Sequence, residues 1–135
     1  MIKPKKALGQ HFLKDMEVAV DTASLKKEEA FDMVIEVGPG QGVLTEELYK
    51  IYKDRLLLVE KDDRCIPLLK ERFPNVRLLN TDFLRIDWNM VEGENIMVIG
   101  NYPYNISSQI IFKSLEARNR VKAIVGMFQK ELAER

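Results

Sequence analysis

A short apolar run that ends directly in a glycine-rich turn constrains this chain more than any other feature. Met33-Val34-Ile35-Glu36-Val37 is followed without a break by Gly38-Pro39-Gly40-Gln41-Gly42. A run of this length with β-branched residues reads as a strand buried on both faces. The glycines permit a tight turn and close approach of a ligand to bare backbone. Behind them, residues 43–52 carry Leu44, Leu48 and Ile51 at the spacing of one helical face. Strand, glycine turn and helix in that order predict the opening unit of a nucleotide-binding α/β sheet.

The alternation continues along the chain. Further strands are predicted at 55–59, 76–79, 95–100 and 121–128, and helices at 63–73, stopped by Pro74, and at 106–115. A short helix over 15–23 carries Val18 and Ala19 on one face, and 129–135 reads as the opening of another. Such a pattern calls for a mostly parallel sheet covered on both faces, joined by right-handed crossovers. The expected architecture is therefore a doubly wound, Rossmann-like α/β fold in a single domain spanning 1–135. A chain of this size buries about two-thirds of its unfolded surface. Only five strands precede Arg135, and sheets of this kind usually continue, so the domain is expected to stop before its last strands.

Composition excludes several classes. One Cys and one His do not furnish a structural zinc site, and a lone Cys65 cannot form an internal disulfide. Cys65 is expected as a half-buried helix residue. There is no apolar run long enough to span a membrane and no secretory signal, so a cytoplasmic protein is expected. Lys+Arg and Asp+Glu each number 21, giving no formal net charge. A nucleic-acid surface must then come from local clustering, such as Lys3, Lys5 and Lys6 with Lys14 beyond them.

Ligands of doubly wound sheets bind beyond the carboxyl ends of the strands, where four loops carry chemistry. The first contains Gly38, Gly40 and Gly42. The dinucleotide fingerprint wants its last glycine where this chain has Val43. That spacing leans away from a pyrophosphate and toward a smaller adenosine cofactor, for which S-adenosyl-L-methionine is the natural candidate. Glu60, after the second strand, is placed to accept both ribose hydroxyls, a role that suits NAD equally. Asp62 reads as a helix N-cap. Asp82, after the third strand, can accept from an adenine amino group while Phe83 or Leu84 presses on the ring; alternatively it caps a local turn.

The fourth loop is Asn101-Tyr102-Pro103-Tyr104. The amine of adenine is a poor nucleophile because its lone pair is delocalised. The Asn101 side-chain oxygen and the Pro103 carbonyl could hold its two N–H bonds, and Tyr104 could stack on the extruded base, an interaction worth about 1–3 kcal/mol. Together the loops point to methyl transfer onto a base nitrogen, driven by positioning and electrostatics. No metal or strong general base is needed, and His11 is not assigned a proton-transfer role.

Four segments carry a family resemblance: Pro4-Lys5-Lys6-Ala7-Leu8-Gly9-Gln10-His11-Phe12-Leu13, the run from Glu36 to Gly42, Asn101-Tyr102-Pro103-Tyr104-Asn105-Ile106-Ser107-Ser108, and Gln129-Lys130-Glu131-Leu132-Ala133-Glu134-Arg135. They resemble the ribosomal RNA adenine dimethyltransferases, which dimethylate N6 of two adjacent adenines near the 3′ end of small-subunit rRNA. The resemblance implies S-adenosyl-L-methionine as methyl donor and small-subunit rRNA or the pre-ribosomal small subunit as partner. Neither metal nor membrane is implied, and a monomer is expected. By carry-over, His11 and Leu13 line the cofactor site, Gly38 meets the methionine part, Glu60 the ribose and Asp82 the adenine amine. Asn101 bridges cofactor and target amine, and Tyr104 stacks on the target base. Many members have Asn in place of His11 and Leu in place of Tyr102. Full members are about twice as long and end in a small helical domain. The competing readings are a macrolide-resistance type large-subunit rRNA methyltransferase, a non-catalytic RNA-binding or ribosome-assembly fragment, and, more distantly, a dinucleotide oxidoreductase.

Overall fold

The structure, a computed structural model, describes residues 30–102 and 104–127. The expected helices at 15–23 and 129–135, the basic cluster of Lys3, Lys5, Lys6 and Lys14, and the residues His11, Leu13 and Pro103 lie outside the described residues. Five parallel strands form one sheet: β1 (Met33–Val37), β2 (Leu56–Val59), β3 (Arg77–Leu79), β4 (Ile96–Asn101) and β5 (Val121–Met127). Their order is β3-β2-β1-β4-β5. The α-helices are α1 (Val43–Tyr52), α2 (Ile66–Arg72) and α3 (Tyr104–Leu115).

Alternate strand residues feed two cores, as a sheet covered on both sides requires. On one side Val34, Leu56, Leu58, Met97 and Ile99 pack with Leu44, Leu48 and Tyr52 of α1 and Leu69 of α2. On the other, Met33, Ile35, Leu57, Val59, Ile96 and Val98 pack with Ile110 of α3 and with Phe83, Trp88 and Tyr102. Full burial of each such side chain is worth about 1.5–3 kcal/mol, so the central strands contribute much of the stability.

Several boundaries differ from the sequence pattern for local reasons. β2 starts at Leu56 because Arg55 closes a 3-10 turn (Lys53–Arg55), with its guanidinium donating to the Phe31 carbonyl at 2.9 Å. Residues Asp63–Cys65 form a 3-10 turn before α2, which begins at Ile66 with Pro67 in its first turn, where the missing N–H has no partner to lose. Val76 donates its N–H back to the Phe73 carbonyl at 3.1 Å and so stays outside β3. The helix predicted at 106–115 begins at Tyr104, at the very end of the β4 loop.

Strict strand–helix alternation fails between β3 and β4. Two 3-10 turns, Phe83–Arg85 and Trp88–Met90, replace a crossover helix. Each is headed by an aspartate, Asp82 or Asp87, whose Oδ1 accepts the N–H two residues on, at 3.0 and 2.9 Å. Their aromatic residues fill the place of a helix: the Phe83 and Trp88 rings meet edge-on at 5.9 Å, and the Trp88 indole donates to the Lys113 carbonyl at 3.1 Å.

Arg120 fastens this crossover to the sheet. Its guanidinium donates to the carbonyls of Gly93 and Trp88, both at 2.8 Å, and to that of Val91. Replacing it strands three partly buried acceptors, and hydrogen bonds to charged groups are worth more than neutral ones. Arg120→Met should lower unfolding free energy by about 2–3 kcal/mol, read as a reduced urea midpoint. An unchanged midpoint would mean that these bonds are replaced by water at no cost.

Candidate cofactor and active site at the strand tips

The register of the parallel ladder sets the geometry of the site. Val37 of β1 lies opposite Val59 of β2 on one side and Gly100 of β4 on the other. The next residues, Glu60, Gly38 and Asn101, therefore leave the sheet at one level, on neighbouring strands about 4.8 Å apart. Leu79 of β3 lies opposite Val59, which brings Thr81 and Asp82 to the same edge. The chain runs outward from β1 to β3 and then returns to the far side of β1 as β4, so this row of residues flanks the topological switch point.

Between these tips lies a cavity of about 520 Å³, within the range of small-molecule sites. Gly38, Gly40, Glu60, Asp82, Phe83 and Asn101 all line it. The structure thus brings together the site residues predicted on the described loops. The N-terminal pair His11 and Leu13, together with Pro103 and the side chain of Tyr104, fall outside the described residues. Val59, Leu84, Ile106 and Ile110 add apolar wall. Ile106, Gln109 and Ile110 went unnoticed as site residues, although their spacing just past the Asn101 loop puts them on one face of α3.

The glycines divide by task. Gly38 and Gly40 have positive φ, 68° and 59°. A Cβ at Gly38 would meet nothing within 4 Å, and one at Gly40 only the Gly38 carbonyl at 3.9 Å. The space above this turn is open, a cradle suited to a ligand lying close to backbone. Gly42, at φ 89°, is a packing glycine: a Cβ there would fall 2.9 Å from the Phe73 ring and 3.0 Å from Arg72. Gly100 is also required by packing, since a Cβ would lie 2.6 Å from the Val37 carbonyl and 2.8 Å from the Tyr102 ring. Tyr102 folds into the core with 4% exposure, and its hydroxyl donates to the Val125 carbonyl at 3.2 Å. Burial first, and Glu36 second, raise the pKa of this phenol well above its usual range. With Tyr102 tucked beneath the tip, Asn101 stays exposed at the cavity wall.

Three carboxylates, Glu60, Asp62 and Asp82, line the cavity. Glu60 Oε1 accepts the Gly40 N–H at 2.8 Å and Oε2 accepts the Asp62 N–H at 2.9 Å. Each oxygen retains a further lone pair. Asp82 caps its turn through Oδ1, one of its two expected roles; among the described residues no donor reaches Oδ2, which leaves that oxygen for the other. Asp62 is the cap that the sequence suggested, accepting the Arg64 N–H at 2.9 Å. The Arg64 guanidinium on the same carboxylate holds it down at about 2. Cys65 is fully buried, at 4% exposure, rather than half-buried. It sits in the wall between core and cavity, and desolvation pushes its thiol above the ordinary value, which keeps it protonated and inert.

Beneath the turn, Glu36 is a carboxyl inside the sheet with 2% exposure. The Thr45 hydroxyl of α1 donates to its Oε1 at 2.5 Å. Burial raises its pKa to about 8, against the opposing pull of the Thr45 bond, with a smaller push from Glu60. An acid in an otherwise apolar strand was the available signal, but its partner nine residues on was not readable from spacing.

A family model described as ribosomal RNA adenine dimethylase matches residues 1–135. The chain belongs to this family. It is 47% identical to ribosomal RNA small subunit methyltransferase A of Bacteroides thetaiotaomicron, with 100% of this chain and 51% of the relative covered. To the protein of the same name from Cytophaga hutchinsonii it is 42% identical, over 99% and 53%. The chain spans about half the length of the curated relatives it matches. Among solved structures, a dimethyladenosine transferase from Plasmodium falciparum superposes with TM-score 0.65 at 32% identity, covering 86% of this chain and 42% of that one. The 23S rRNA methyltransferase ErmE gives 0.64 at 31%, covering 90% and 48%. The fold is that of Rossmann-like methyltransferases, and the cofactor of the family is S-adenosyl-L-methionine. The open cradle over Gly38, the paired carboxylates and the apolar walls fit an adenosine-bearing cofactor. Among the described residues, no helix is long and apolar enough to cross a membrane, and no cluster of His, Cys, Asp or Glu could hold a metal ion.

Glu36 gives this family member a pH signature. The folded protein keeps a proton to about pH 8 that the unfolded chain releases near 4.5. Stability should therefore fall as pH rises between those values, by at most about 1.4 kcal/mol per pH unit from this group, and level off above them. Glu36→Gln keeps an acceptor for Thr45 and removes the titration. Its urea-unfolding free energy should decline less steeply than wild type over that window; parallel profiles would refute the neutral carboxyl.

Proposed function

We propose that this chain binds S-adenosyl-L-methionine in the strand-tip cavity and serves methyl transfer to N6 of adenine in small-subunit rRNA, at two adjacent adenines near the 3′ end, in ribosome biogenesis. The observation that carries this reading is the level row of Glu60, Gly38 and Asn101 around one cavity, set by the register of β2, β1 and β4, in a chain of the adenine dimethylase family. Curated relatives named as small-subunit enzymes, at 42–47% identity, favour that substrate over the 23S RNA named for ErmE.

The cofactor supplies a methyl group already activated by its sulfonium. The residues of the chain bind and orient. Glu60 uses its remaining lone pairs for the ribose hydroxyls, and Asp82 Oδ2 accepts from the adenine amine. Phe83, Leu84, Ile106 and Ile110 enclose the purine and exclude water. Bare backbone at Gly38 and Gly40 admits the amino-acid end. Asn101, exposed at the rim, accepts an N–H of the target amine and aims its lone pair. The Pro103 carbonyl is assigned the second N–H from the chemistry of its loop, and by family correspondence Tyr104 stacks on the extruded base and His11 and Leu13 complete the cofactor wall. Catalysis of this kind rests on preorganised acceptors and in-line placement.

Calorimetric titration tests the binding half. S-adenosylhomocysteine should bind and NAD should not, and Asp82→Ala should weaken the former by about 1.5–3 kcal/mol, the scale for a hydrogen bond to a charged group. Asn101→Ala tests the chemical half. Affinity for S-adenosylhomocysteine should stay within a few-fold, while labelled methyl transfer to small ribosomal subunits should fall about 100-fold or more. Wild-type transfer in that variant would rule out the amine clamp. Ligand binding by the unmutated protein with no transfer would favour the non-catalytic, RNA-binding reading.

A further inference from the structure

Ribose recognition requires nothing of the glycine turn, yet the Glu60 side chain reaches across to it. The Gly40 N–H lies 2.8 Å from Glu60 Oε1, a bond joining residues twenty apart in sequence. Arg72 donates to the Gln41 carbonyl at the far end of the turn, and the Gly38–Gly40 part has fewer restraints. Gly38 donates to the Val59 carbonyl at 2.8 Å and Gly42 to the Pro39 carbonyl at 2.9 Å. Between them, among the described residues, the Gly40 N–H has Glu60 as its one acceptor. Three glycines at positive φ make this the segment with the most backbone freedom to lose.

The acceptor is itself rigid. Glu60 donates its own N–H to the Leu79 carbonyl at 3.0 Å, its Oε2 takes the Asp62 N–H, and it is 5% exposed. A partly buried, charge-assisted bond to a carboxylate oriented on both sides is a strong restraint. A Cβ at Gly38 or Gly40 would find open space, so packing holds the turn only at its far end, where Gly42 meets Phe73 and Arg72.

We propose that Glu60 is a positioning residue for the glycine turn: its carboxylate sets the path of Gly38–Gly40 and thereby couples the adenosine end of the ligand to the amino-acid end. This rests on the cofactor reading above and adds a second task to the residue assigned to the ribose. A group that only held ribose hydroxyls would act on the adenosine half alone. A group that also holds Gly40 acts on the backbone against which the amino-acid half lies.

Two measurements test the coupling. In the ligand-free protein, NMR hydrogen exchange at the Gly40 amide should speed at least about tenfold in Glu60→Ala, the order expected when a partly buried amide loses its acceptor. Glu60→Gln should fall between, because an amide oxygen can still accept that N–H. Exchange at the Leu48 amide, inside α1, reports that the fold is intact. Calorimetry then compares S-adenosylhomocysteine with 5′-methylthioadenosine, which shares the adenosine but lacks the amino-acid end. Either variant should lose several-fold more affinity for the first than for the second. Equal losses, or unaltered Gly40 exchange in both variants, overturn the proposal. Failure of the unmutated protein to bind either ligand would instead remove the cofactor reading, and Gly40 exchange would still decide whether Glu60 positions the turn.

Discussion

Parallel pairing in one register is the constraint on which the site depends. Val37 is the pivot, opposite Val59 and Gly100 at once. Slipping either neighbour by one residue would invert its side chains between the two cores. It would also move Glu60 or Asn101 off the level of Gly38. The apolar burial that drives the strands together is thus the same force that aligns the polar tips. Gly100 belongs to this arrangement, because any side chain there would collide with the Val37 carbonyl and the Tyr102 ring.

A second consequence of dense packing is the placement of polar groups. The sheet tolerates Glu36 because Thr45 satisfies one oxygen and burial favours the neutral form. Glu60, past the end of β2 and also buried, has two backbone donors. Two carboxyl groups on neighbouring strands thus serve different ends: one supports the joint between β1 and α1, the other faces the cavity.

Much of the fold was legible because each strand is a short apolar run and α1 has a clean helical stripe. The tips were legible for the same reason: a polar residue directly after a buried strand has to sit at the sheet's edge. What spacing could not reveal was anything dependent on tertiary contact. The Glu60–Gly40 bond and the Glu36–Thr45 bond join different elements. The two 3-10 turns after β3 are too short to show a period, although Asp82 and Asp87 each mark a cap. Cys65, expected as a half-buried helix residue, is fully buried because it fills the wall between core and cavity. Tyr102 was not legible as a core residue from its place in a polar loop: the ring fills the core and the hydroxyl finds the Val125 carbonyl.

Trp88 is the sole indole of the chain. It touches the Phe83 ring, and Phe83 in turn lines the cavity. Whatever fills that space presses on a phenyl group whose other neighbour is the protein's single strong fluorophore. The crossover that took the place of a helix therefore sets an intrinsic optical reporter one ring away from the cavity, at its Phe83 end, with no attached dye required.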